Sequence, residues 1–406
     1  SEEGFMKPLT KVMNYFKIRG SWGMTGNNSF GNYAYLSQLY KNNYALGGSL
    51  AQGKSLSNIG NNELTWEKNK QLNIGLDFGF FNDRIFITYD YYSRITDGLL
   101  YQTNIPWSSG FGEILGNVGR FDNWGHEINI ESRNFVRDFK WKTSLNLTFA
   151  RNKIKRLSTN NEPIGGEEVY SDWNRLQVGK PAGVFYGYVF DGVYMNQKEF
   201  DSQPKHASSQ VGTARMKDVD KNGVITLEDR TIIGDPNPDM LFGITNQFSW
   251  KNFDLSIFLT GQVGGDVFLG SSDNEYNLDG VFNVNKEVKY RWRSLDNPGK
   301  GVVPSTAAGT TEIYRLKNSR WVYDASHLVV KNITIGYNIP IKKNNYISKA
   351  RVYVSGQQLF VWKSYPGLNP EINNTSENEL SWQGLGVDMT TYPIPRIFTL
   401  GFKLTF

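Results

Sequence analysis

The feature that most constrains this chain is a period-two alternation of apolar and polar residues, which runs for about ten residues at a time. At the end of the chain, for example, Phe398, Leu400 and Phe402 alternate with Thr399 and Gly401. Successive side chains of a β-strand point to opposite faces, so the pattern predicts strands with one apolar face. Strands of soluble proteins average about 5–6 residues, whereas a tilted strand needs about 9–11 residues to cross a bilayer. The sequence therefore predicts an all-β fold made of membrane-length strands.

Ten such strands are predicted, at residues 13–24, 71–80, 84–96, 123–133, 138–150, 240–250, 252–262, 326–338, 350–360 and 396–406. Their connections alternate strictly in length. The short ones are 81–83, 134–137, 251 and 339–349, and the long ones are 25–70, 97–122, 151–239, 263–325 and 361–395. Short turns on one side and long loops on the other are typical of outer-membrane β-barrels, whose short turns face the periplasm. We therefore predict a transmembrane antiparallel β-barrel wall with long extracellular loops.

The composition excludes several other classes of protein. The net charge of +5 is small and forms no long basic run, which argues against nucleic-acid binding. No apolar run approaches the roughly 18 residues of a membrane helix, and the absence of cysteine excludes disulfides and thiolate chemistry. The three histidines are far apart, and Glu127 and Glu131, about 13 Å apart on one strand face, are too distant for a glycosidase pair. We predict that the protein is not an enzyme and that these glutamates line the lumen.

Residues 218–229, DVDKNGVITLED, have the spacing of an EF-hand-type calcium loop, with the turn glycine at position 6. The predicted ligands are the side chains of Asp218, Asp220, Asn222 and Asp229 and the carbonyl of Val224. Position 12 is aspartate rather than glutamate, which predicts one-oxygen ligation or weaker binding, and no helix is predicted on either side. The alternative is a plain Asp/Asn/Gly turn. Bound Ca²⁺ would rigidify the extracellular loop 151–239.

The last strand, 396–406, carries a pattern that resembles the signal read by the barrel-assembly machinery. The pattern consists of Thr399, Gly401, Leu404 and the terminal Phe406. The alternative is an ordinary C-terminal strand.

Aromatic residues cluster near the predicted strand ends, where membrane-interface girdles place rings with a polar tip. Packing within the loops, or a sugar-stacking platform there, is the alternative. The residues concerned are Trp66, Tyr91, Tyr92, Trp141, Trp250, Phe253, Trp321, Tyr323, Trp362 and Tyr365.

Several segments together resemble the SusC/RagA family of TonB-dependent outer-membrane transporters of Bacteroidetes, in the order in which that family has them. They are 64–100, 116–128 (GNVGRFDNWGHEI), 179–194 (GKPAGVFYGYVFDGVY), 218–243, 332–340 (NITIGYNIP), 365–371 (YPGLNPE) and 392–406 (YPIPRIFTLGFKLTF). They extend over essentially the whole chain, and their combination is more specific than any one of them.

The resemblance implies a 22-stranded barrel with an N-terminal plug, of which these residues are about the last ten strands. No plug or TonB box is recognisable here, so we expect the chain to be the C-terminal portion of a longer polypeptide. The implied function is import of glycan fragments or peptides across the outer membrane of a Gram-negative, Bacteroidetes-like bacterium. The implied partners are TonB, acting through the absent plug, a SusD-like surface lipoprotein as lid, and outer-membrane lipid. Loops 151–239 and 263–325 would dock the lid and the substrate.

Two alternatives stay open at this stage. A complete ten-stranded barrel could act as a small passive pore or an adhesin, because even strand numbers from eight upward close on their own. A secreted, non-enzymatic carbohydrate-binding β-protein is the other, although the loop asymmetry and the terminal Phe406 argue against it.

Overall fold

The structure is a computed structural model that describes residues 12–28, 31–117, 119–157, 160–166, 173–278, 283–307, 309–341, 347–372, 384–389 and 391–406. Its main element is one antiparallel sheet of ten strands, β1 to β10, which neighbour one another in chain order. These are Met13–Asn27, Glu67–Phe80, Ile85–Asp97, Arg120–Val136, Phe139–Arg156, Met240–Trp250, Phe253–Val263, His327–Ile339, Lys349–Lys363 and Ile397–Thr405. All ten predicted strands are present, and their connections alternate between short and long as expected. Among the described residues, β1 pairs only with β2 and β10 only with β9.

The long connections carry short elements that the alternation did not reveal. The strands are Leu39–Leu46, Ser49–Leu56, Leu100–Asn104, Glu113–Asn117, Asn174–Arg175, Val184–Gly187, Phe190–Val193, Ala214–Met216, Thr231–Gly234, Asp266–Leu269, Val322–Asp324 and Val387–Asp388. The α-helices are Gln197–Ser202, Ser272–Tyr276 and Glu312–Arg315, and the 3₁₀ turns are Trp107–Ser109, Leu227–Asp229, Lys286–Tyr290 and Ser319–Trp321. No helix in the described part of the chain is long and apolar enough to cross a membrane.

The register of the sheet places most of the apolar residues of the ten strands on one face. Ile244 of β6, for example, lies between Leu145 of β5 and Leu259 of β7. This face is open to its surroundings, since Leu400 and Phe402 of β10 are 76% and 61% exposed. An apolar face of this extent requires lipid around it, as the length of the strands predicted.

On the opposite, polar face, an arginine reaches across a glycine to join three strands. Arg19 of β1 donates to both carboxylate oxygens of Asp77 on β2, at 3.0 Å each, and lies 2.9 Å from Asp90 of β3. Gly75 stands in register between Arg19 and Asp90. A Cβ atom there would lie only 2.5 Å from both the guanidinium carbon and the carboxylate. Glycine thus leaves the space through which the charges meet.

The same arrangement, an ion pair that spans a glycine, recurs near the other edge of the sheet. Arg351 of β9 forms an ion pair with Asp254 of β7, and its Nε donates at 3.0 Å. Gly336 of β8 lies between them, and a Cβ on it would collide with the guanidinium. Each bridge ties three strands together on the face that would line a lumen.

The buried core lies in the long loops rather than in the sheet. Trp321 packs between Tyr276 and Tyr314, at ring-centroid distances of 4.7 and 4.9 Å. The same cluster includes Tyr365 and Phe185. Loops 151–239, 263–325 and 361–395 therefore share one packed core.

This core decides the role of two of the aromatic residues near predicted strand ends. Trp321 is 2% exposed and Tyr365 is 1% exposed, so both pack within the loops and neither can belong to an interfacial girdle. Trp250, Phe253 and Trp362, in contrast, lie at strand ends with more than half of their surface exposed.

We predict that Gly75→Ala destabilises the wall by about 1.5–3 kcal/mol, because the added methyl group displaces Arg19 from its two carboxylates. Gly243→Ala is the matched control, since its Cβ would meet Phe258 at an ordinary 3.7 Å. Urea unfolding of the full-length protein in lipid vesicles, followed by tryptophan fluorescence, measures both variants. Equal stability of the two variants would contradict the role of the glycine.

Candidate functional site

The calcium loop, residues 218–229, folds so that its acidic side chains converge. One carboxylate oxygen each of Asp218, Asp220 and Asp229 lies within 4.8 Å of the others. Gly223 has a φ of +86°, a conformation that favours glycine and produces the sharp turn expected at position 6. Within the described residues, this is the sole group of three or more side chains of the metal-ligating types.

Asp229, at position 12, is held in place by the backbone on both sides of the loop. Its two oxygens accept hydrogen bonds from the N–H groups of Val219 and Thr226, each at 2.7 Å. It closes the 3₁₀ turn Leu227–Asp229 and is fully buried. The backbone of the loop therefore folds onto this shorter side chain.

Two of the five predicted ligands are not in the carboxylate group. The Asn222 side chain bonds within the loop, donating to Asp220 at 2.8 Å and accepting from the Val224 N–H at 2.8 Å. Val224 forms a parallel β-bridge with Lys205. Ile225 is 2% exposed and belongs to the buried core. The loop is thus anchored to the rest of the extracellular loops.

The surroundings of the Asp218 carboxylate favour its ionised form. Desolvation acts to raise its pKa, but the backbone N–H of Gly223, then those of Lys221 and Asn222 with the side chain of Asp220, outweigh it. The pKa of Asp218 is consequently held below its ordinary value. A carboxylate in this state is a ready ligand for a hard cation.

The terminal pattern divides between the two faces of the sheet. Thr399 and Gly401 lie on the polar face, and a Cβ on Gly401 would collide with the ring of Tyr353 on β9. Leu404 lies on the apolar face, and Phe406, just beyond β10, is 85% exposed. Gly401 therefore has a packing role of its own, and the assembly signal stays a prediction.

The other residues singled out from the sequence form no common site. Glu131 pairs with Lys142 at 2.7 Å, and Glu127 lies on the same polar face. Nδ1 of His126 is 2.8 Å from the Tyr89 hydroxyl, on the apolar face of the sheet.

Sequence reasoning missed a cleft of about 700 Å³ in the long loops. The cleft is lined by three segments that are far apart in the sequence, so no local motif could predict it. The one available signal was the density of cations in 286–300, five Lys or Arg against two carboxylates. Its lining consists of Tyr276, Asn285, Lys286, Glu287, Lys289, Tyr290, Arg320, Tyr323, Ser364 and Pro366.

Comparison with curated proteins matches the chain over its whole length. It is 33% identical to TonB-dependent receptor P26 and 32% identical to TonB-dependent receptor P3, both of Formosa agariphila. It is 30% identical to TonB-dependent receptor SusC of Bacteroides thetaiotaomicron. The alignments cover 100% of this chain but only 41%, 41% and 39% of these relatives. No protein-family model matches.

Solved structures give the same fold. The RagAB peptide transporter superposes with a TM-score of 0.81 over 98% of this chain and 41% of that chain, at 24% identity. The RagAB peptide importer in its "open-open" state gives a TM-score of 0.79. These relatives are named as receptors and importers rather than as enzymes. The chain spans about two fifths of the length of its relatives, and over its whole length it is similar to TonB-dependent receptors, SusC among them.

Proposed function

We propose that this chain forms part of the barrel wall of a TonB-dependent nutrient importer in the outer membrane of a Gram-negative bacterium. The observation that carries the proposal is the match of the whole of this chain to about two fifths of TonB-dependent receptors P3 and P26. The ten-stranded sheet, with its apolar face outward and its charges on the other face, supports it physically.

A closed wall is required for this function. Strands β1 and β10 each have one edge without a strand partner in the described residues, and open sheet edges are not tolerated in lipid. The polypeptide of which this chain would be two fifths supplies the missing strands and the plug on which TonB acts. The chain itself contributes wall, lumen and outer rim.

The packed loops form a rim that would dock a SusD-like surface lipoprotein as lid. Their shared core around Trp321 holds loops 151–239 and 263–325 in fixed relative positions. A rigid rim is what a lid needs to close upon repeatedly. The cargo we propose is a glycan fragment or peptide too large for passive pores.

Deleting the gene should abolish uptake of a fluorescent oligosaccharide or oligopeptide, and inactivating TonB should abolish it equally. Fluorescence of washed cells gives the measurement, and re-expression of the full-length protein gives the control. Uptake that depends on the gene but not on TonB would indicate a passive pore instead. Uptake unchanged by the deletion would indicate a binding protein or adhesin.

We also propose that the calcium loop binds Ca²⁺. Asp218, Asp220 and Asp229 supply carboxylate oxygens, which are the ligands that Ca²⁺ prefers. The side-chain oxygen of Asn222 and the carbonyl of Val224 are close in the chain and would complete the set predicted from the spacing. The bound ion would cross-link the two ends of the loop and rigidify residues 151–239.

Removing Ca²⁺ with EGTA should speed proteolysis within 151–239 of the full-length protein several-fold. Asp218→Asn should be cleaved fast with or without Ca²⁺, because it removes a charged ligand while its remaining amide oxygen can still accept from the N–H groups of the loop. Asp201→Asn, an exposed aspartate of the same loop, should respond to EGTA like the parent protein. Cleavage that is insensitive to EGTA in the parent protein would contradict calcium binding.

A further inference from the structure

The cleft in the long loops has a floor built around one ion pair. Arg320 donates from Nη2 to both oxygens of Glu287 at 2.9 Å, and from Nη1 to the Tyr323 hydroxyl at 3.1 Å. Tyr276 completes the floor and is packed against Trp321 at 4.7 Å. The floor is therefore fixed by hydrogen bonds and ring contacts before any ligand arrives.

The rim of the cleft carries a surplus of positive charge. Lys286 and Lys289 line it and are exposed, and Lys300 lies 4.0 Å above the ring of Tyr290. None of these three lysines forms an ion pair with a carboxylate in the described part of the chain. Glu287 is the one carboxylate of the lining, and Arg320 already neutralises it.

This surplus of positive charge shifts the pKa values of neighbouring groups. A hydrogen bond with Lys289, then the charges of Lys289, Lys300 and Lys286, lowers the pKa of Tyr290. Burial, followed by repulsion from Arg293, lowers the pKa of Arg291. Several cations thus share a small volume without enough counter-charge.

We propose that this cleft binds an acidic sugar unit, bearing a carboxylate or sulfate, of the oligomer that the protein imports. The lysines of the rim provide the attraction for the anionic group, and the floor provides the orientation. This inference rests on the proposed importer function and specifies the substrate class within it.

The lining favours a sugar over an acidic peptide. Tyr290 and Tyr323 place aromatic rings beside the polar side chains of the lining, such as Asn285 and Ser364. A sugar ring offers an apolar C–H face to the aromatic rings and hydroxyls to the polar groups beside them. The flexible carboxylates of an acidic peptide would contact the lysines, but the peptide would make no use of the aromatic rings and the polar groups beside them.

Binding to the purified full-length protein, measured by calorimetry without TonB, tests the inference. The probes are trigalacturonate, maltotriose, which is neutral, and triglutamate, which carries a similar negative charge on a peptide. We expect trigalacturonate to bind at least about tenfold more tightly than either other probe, and added salt to weaken it.

Two variants and a control locate the binding. Replacing both Lys286→Gln and Lys289→Gln should weaken trigalacturonate binding about tenfold, the effect of two exposed charge contacts. Lys198→Gln, an exposed lysine of another loop, should leave it unchanged. Glu287→Gln removes the sole carboxylate of the lining and should tighten binding, which a merely structural role of the pair would not do.

Three results would overturn the inference. One is equal affinity for maltotriose, another is equal affinity for triglutamate, and the third is parent-like affinity of the double lysine variant. These outcomes are separate from failure of the importer function, which is measured by uptake in cells. An importer whose lysine variants bind normally refutes the cleft, whereas lysine-dependent binding without uptake refutes the importer.

Discussion

A backbone N–H or C=O group without a partner in hydrocarbon is so costly that only helices and closed sheets cross a bilayer. The ten-stranded meander follows from this constraint. Each strand is long enough to span the membrane, each lies beside its neighbour in the chain, and short turns join them at one end. The same constraint requires strands beyond β1 and β10, because a sheet that ended there would expose two rows of backbone groups to lipid.

The constraint also explains where the buried core lies. A single-layer wall between lipid and lumen has no second layer to pack against, so its apolar side chains stay on the surface. The chain instead builds its core from long loops, around Trp321, Tyr314 and Phe185. Within the wall, the strands are held together by backbone hydrogen bonds and by ion pairs on the polar face, such as the Arg19 bridge across Gly75.

The wall could be predicted from the sequence because its information is local and periodic. Strands such as Phe253–Val263 repeat one pattern over their full length, and a shift of one residue would turn every apolar side chain to the wrong face. The loops lack that redundancy. Paired strands as short as Asn174–Arg175 contain no period, and burial of Trp321 depends on residues from several loops. The three carboxylates of the calcium loop were predictable because their spacing is local, whereas the cleft joins residues from three segments that lie about 30 and about 40 positions apart.

The charges of the two regions are organised differently, and this bears on where selection occurs. On the polar face of the wall, cations lie beside carboxylates: Arg19 with Asp77 and Asp90, Arg351 with Asp254, and Lys142 with Glu131. Charges that are paired in this way hold a passing anion or cation only weakly. The cleft in the loops keeps its positive charge uncompensated. In an importer built this way, charge discrimination takes place at the outer rim, before the cargo enters, and the wall offers a path on which cargo is not trapped.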